Sequence, residues 1–94
     1  MLQEPLANDA AKKLIASILK SGTVSFSSHA LEEMAKDDLT TVDVANVLRG
    51  GFVEFSEFER GSWRYRVRTS RMTVVVAFRS EGVLSVVTAW RKVR

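Results

Sequence analysis

Between Ser62 and Thr69 the chain runs Trp63-Arg64-Tyr65-Arg66-Val67-Arg68, with a guanidinium at every second residue and a large apolar side chain before each. Alternate residues of a strand point to opposite faces, so this segment would present one apolar face and a row of arginines about 6.5 to 7 Å apart. Such a row can contact successive phosphates of a nucleic acid, because a planar guanidinium fork matches phosphate oxygens better than a lysine point charge does. Arg71, Arg91 and Lys92 would track the same backbone, and Trp90 could stack on an unpaired base. Trp63 and Tyr65 share the face away from the arginines, where core packing suits them better.

His29 is the single histidine and follows two serines at a helix start. An imidazole can move protons near neutral pH, although a helix N-terminus disfavours its charged form. A structural role and a proton-transfer role both stay open for it. RNA cleavage needs a group to take the 2′-hydroxyl proton, cations to hold the extra charge on phosphorus, and a donor for the leaving 5′-oxygen. Arginines, one histidine and a tyrosine can supply these without a metal or an organic cofactor, and the same residues could bind RNA and do nothing more. No metal site is expected, since neither cysteine, a second histidine nor a carboxylate cluster at ligand spacing accompanies His29. The sequence also lacks a nucleophile elbow, a P-loop and a dinucleotide-binding glycine pattern.

Charge is divided along the chain. Residues 1–59 hold five basic and ten acidic side chains and residues 60–94 hold nine basic and one acidic, so net charges of −5 and +8 underlie the total of +3. Eight of the nine late cations are arginine, which points to an anionic partner. The rival reading has the two halves pairing with each other on a solvated surface. At 94 residues, 46% hydrophobic, 27% charged and without cysteine, residues 1–94 have the balance of one soluble domain held by packing alone. The longest apolar run is Val74–Phe78, far short of a membrane span, and the N-terminus has no signal-peptide pattern.

The elements that would carry these residues follow from periodicity. Ala10, Ala11, Leu14, Ile15, Ile18 and Leu19 form one helical stripe, with Asn8 or Asp9 as the expected N-cap and Gly22 as a positive-φ stop. Thr23–Phe26 should be extended. A second helix is expected over His29–Lys36 under the Ser27-Ser28 hydroxyls, and a third from a Thr40/Asp43 capping box to Gly50-Gly51. The period then drops to two: strands are expected at Phe52–Phe58, Trp63–Arg68, Met72–Arg79 and Val83–Trp90, joined by short turns. The expected fold is α+β, N-terminal helices packed on a four-stranded antiparallel sheet. The last two strands are apolar on nearly every residue, which points weakly to strong curvature, a homodimer contact or another protein partner.

The stretch His29-Ala30-Leu31-Glu32-Glu33-Met34 resembles the His-Ala-x-Glu-Arg-Met opening of a bacterial domain family of unknown function that looks like a relative of the RelE and MqsR toxins. Tyr65-Arg66-Val67, the apolar Val74–Ala77 strand and the closing Thr88-Ala89-Trp90 resemble that family's Tyr-Arg-Val, hydrophobic strand and Thr-x-Tyr ending. The likeness spans residues 10–92 through short motifs. Glu33 stands where the family favours arginine, Asp37-Asp38 replace an Arg-Gly, and Trp90 replaces a tyrosine. The resemblance implies a RelE/MqsR-like fold and a cytoplasmic bacterial toxin, an mRNA endonuclease acting freely or on the ribosome and neutralised by a cognate antitoxin protein. It carries catalytic roles onto His29, Tyr65, Arg66 and Thr88.

Two functions are therefore expected to compete. In the first, a toxin-type, metal-independent RNA endonuclease, Arg66 with Arg64 and Arg68 holds the scissile phosphate while His29 or Tyr65 moves protons. In the second, a non-enzymatic module uses the same basic sheet face to hold RNA or an acidic protein.

Overall fold

A computed structural model describes residues 2–92. The elements run α1 (Asn8–Ser21), β1 (Thr23–Phe26), α2 (Ser28–Lys36), α3 (Thr41–Gly50), β2 (Phe52–Glu59), β3 (Ser62–Arg68), β4 (Met72–Ser80) and β5 (Val83–Arg91). The sheet has five strands in the order β1-β5-β4-β3-β2, with β1 parallel to β5 and every other pair antiparallel. This corrects the expected four-stranded antiparallel sheet. Thr23–Phe26 is extended as expected, but four residues give no clue that they pair across the chain with Val83–Val86.

The helices lie on one face of the sheet. Ala11, Ile15 and Ile18 of α1, Ala30 and Met34 of α2, and Val44, Val47 and Leu48 of α3 are buried with Tyr65, Val67, Val74, Val76, Leu84, Val86 and Ala89 of the sheet. The alternation in β3 thus has its expected consequence, with Tyr65 and Val67 inward and Arg64, Arg66 and Arg68 on the outer face. On β4 the outer residues Thr73, Val75 and Ala77 are small, and Thr73 and Ala77 are buried although no helix covers that side.

Helix ends follow local chemistry, with two departures. Ser27 Oγ accepts from the Ala30 amide at 3.0 Å. The Thr40/Asp43 capping box is complete: Thr40 Oγ1 accepts from Asp43 N and Asp43 Oδ2 from Thr40 N. These bonds hold the Asp43 carboxyl below the usual carboxylate range. At α1 the N-cap is Ala7, without a side-chain cap, because Asn8 Nδ2 instead donates to the Glu54 carbonyl at 2.9 Å. Gly22 has φ −107°, so no positive-φ stop is needed there. A Cβ at Gly22 would collide with the Gly82 carbonyl oxygen, and that close approach is what selects glycine where β1 enters the sheet. Among the described residues no helix is long and apolar enough to cross a membrane.

Candidate functional site

The hairpin of β2 and β3 sets the register of the outer face. Arg60 and Gly61, at φ 51° and 83°, make a two-residue turn with both residues at positive φ, the geometry that matches the twist of the flanking strands. Counting back from it, Glu59 lies opposite Ser62 and Glu57 opposite Arg64. Between Val53 and Ser56 the register shifts by one residue. That bulge turns both Glu54 and Phe55 towards the arginine row.

The three arginines consequently have different surroundings. Arg68 is ion-paired through Nε with Glu54, and its guanidinium lies 5.3 Å from the centre of the Phe52 ring. Arg64 Nη1 stands 3.7 Å from Glu59 Oε1, a loose contact that leaves its buried Nε without an acceptor among the described residues. Arg66 has no carboxylate partner among the described residues. Its guanidinium lies between two rings, 5.0 Å from the centre of Phe55 and 5.5 Å from that of Trp90. A shallow hollow of about 130 Å³ opens beside it, lined by Phe55, Glu57, Glu59, Arg64, Arg66, Val75, Thr88 and Trp90.

Arg64, Arg66, Thr88 and Trp90 are thus brought together, and the lining adds Phe55, Glu57 and Glu59, which sequence reasoning missed. Their signal was available: a two-residue Arg-Gly turn fixes the pairing of Glu57 with Arg64, whereas the bulge that brings in Phe55 has no equally plain mark. Arg71 is exposed on the β3–β4 turn, and its carbonyl accepts from the Lys92 amide at 2.9 Å, so the main chains of these two residues meet at the Arg68 end of the sheet. Arg91 is committed elsewhere. Its amide donates to Asp37 Oδ2 at 2.8 Å and its Nε to the Asp37 carbonyl at 3.0 Å, closing the end of α2 onto β5.

Two residues given proton-transfer roles do not line the hollow. His29 is exposed on α2, whose Ala30 and Met34 enter the core on the opposite side of the sheet. Tyr65 is fully buried. Its hydroxyl donates to Glu4 Oε2 and accepts from the Leu6 amide, both at 2.9 Å. Burial, with the neighbouring Glu4 carboxylate, pushes the phenol up to about 12. Among the described residues no three histidine or carboxylate side chains gather closely enough to hold a metal ion.

What the outer face offers is a cation sandwiched by aromatic rings above a small-residue floor, with a threonine hydroxyl and two carboxylates at its rim. Such a surface can hold a planar group by stacking and an anionic group by charge-assisted hydrogen bonds. Comparison with curated proteins and with solved structures gave no match. Residues 26–91, from the end of β1 through α2, α3 and the rest of the sheet, match the model of DUF4258, a domain of unknown function, and the chain belongs to that family.

Proposed function

We propose that the protein is a non-enzymatic binding module for single-stranded RNA, using the outer face of β3–β5 with Arg66 at its centre. The observation that carries this reading is the setting of Arg66: alone in its row it lacks a carboxylate partner among the described residues, and it stands between Phe55 and Trp90 at the hollow. An RNA phosphate can take the unshared guanidinium edge while a neighbouring base stacks on Trp90. Arg71 and Lys92 supply further phosphate contacts at one end of that face. The motif likeness to the RelE and MqsR toxins makes RNA the polymer of choice and a cytoplasmic bacterial setting its natural context.

Binding without cleavage fits the geometry better than endonuclease action does. The histidine and tyrosine that would move protons stand away from Arg66, and Tyr65 already uses its hydroxyl within the fold. Affinity for a short uridine- and adenine-containing RNA, measured by fluorescence anisotropy, tests the proposal. The expected result is salt-dependent binding, intact RNA at the end of the experiment, and a loss of about 1–3 kcal/mol in Arg66→Ala. Unchanged affinity in Arg66→Ala would sink the site, and cleaved RNA would restore the endonuclease reading.

A further inference from the structure

The strand β2 is an edge of the sheet, protected only by its glutamates and by the bulge near its start. It contains no lysine, arginine or proline, and it exposes three large rings, Phe52 at 56%, Phe55 at 44% and Phe58 at 60%. The two-residue turn makes Glu59 and Ser62 a hydrogen-bonded pair, so Glu57 also bonds to β3, while the backbone groups of Ser56 and Phe58 point outward from the sheet. Among the described residues, the Glu54 carbonyl at the bulge is already taken, by Asn8. The two faces of the edge differ in chemistry. Phe55, Glu57 and Glu59 lie on the outer face; Ser56 and Phe58 lie on the inner one, where Phe58 packs edge-on against Trp63 with ring centres 5.3 Å apart.

We propose that this edge accepts an extended segment of a partner protein in which lysine or arginine alternates with apolar residues. Added as a sixth strand, its basic residues would lie beside Glu57 and Glu59 on the outer face. Its apolar residues would cover Phe58 on the inner face, with backbone bonds supplied by Ser56 and Phe58. A second copy of this chain is the poorer occupant. Antiparallel self-pairing about Glu57 sets that carboxylate against its own counterpart, and pairing about Phe58 sets Glu57 against Glu59; like charges directly opposite are destabilising. The opposite edge, β1, is Thr23-Val24-Ser25-Phe26 and brings no positive charge.

The inference does not rest on RNA binding, although Phe55, Glu57 and Glu59 also line the Arg66 hollow. Its test uses the full chain and a short synthetic peptide alternating lysine with valine, compared by calorimetry and amide chemical-shift perturbation with a scrambled peptide of the same composition. Binding of the alternating peptide alone is expected, with the largest shifts along Phe55–Glu59. Ser56→Pro, which removes an outward-facing donor, should abolish it. Glu57→Lys, whose fold is checked by circular dichroism because it sets a cation opposite Arg64, should weaken it about tenfold or more. Equal binding of both peptides, or unchanged affinity in Glu57→Lys, would overturn the proposal. So would sedimentation showing a dimer of the chain that Ser56→Pro dissolves, since the edge would then belong to a second copy.

Discussion

The phenol of Tyr65 has a donor on one side and a carboxylate on the other, both from the segment ahead of α1. A residue that could serve chemistry is thereby made a tether for residues 4–6. Because its folded pKa is raised to about 12 from an ordinary 10, folding favours the neutral phenol. The stability it contributes is complete below pH 10 and is lost as pH rises from there through about 12. This is the only tyrosine, so the absorbance of the ionised phenol reports it directly. The expected titration midpoint lies near 12 in the folded protein and near 10 in urea. Tyr65→Phe should cost about 1 kcal/mol in urea unfolding, since it leaves the Leu6 amide without its acceptor. A midpoint of 10 in the folded chain would contradict the burial described.

At the level of elements, the junction between α3 and β2 depends on one glycine. Gly51 has φ −80°, which any residue adopts, but a Cβ there would stand 2.6 Å from the Val47 carbonyl oxygen and 2.8 Å from that of Arg68. Gly51→Ala should therefore destabilise by about 1–3 kcal/mol, as overpacking does. Gly50→Ala faces open space and should change stability little or improve it slightly. Urea denaturation of the two variants separates crowding from backbone freedom, and equal effects would refute the steric account. This pair also marks what the sequence discloses. The Gly50-Gly51 stop, the Thr40/Asp43 box, the Ser27 cap and the β3 alternation are local and legible, and the strand ends fall within a residue of expectation. The parallel placement of β1, the bulge at Glu54-Phe55 and the diversion of Asn8 to Glu54 depend on partners 46 or more residues away in the first and last cases. No periodicity encodes those. The candidate site was half legible for the same reason: the arginines announce themselves, whereas the glutamates that occupy Arg64 and Arg68 come from a strand whose register only the turn fixes.

Over the whole molecule, the contrast between an acidic front half and a basic back half is partly cancelled in space, because β2 brings Glu54, Glu57 and Glu59 alongside the arginines of β3. The β5 strand binds the two halves together: it pairs with β1, carries Leu84, Val86 and Ala89 into the core, and is pinned to α2 by Arg91. A chain ending at Gly82 should accordingly lose its near-ultraviolet circular dichroism and its cooperative thermal transition. Retention of a sharp transition would show that the remaining strands suffice.

The parallel seating of β1 on β5 has a temporal consequence as well. Residues made early must wait for the last strand before the sheet can close, so β1 has no place to dock until β5 has left the ribosomal tunnel. Synthesis and folding are thus ordered in sequence, and the native arrangement waits on the emergence of β5.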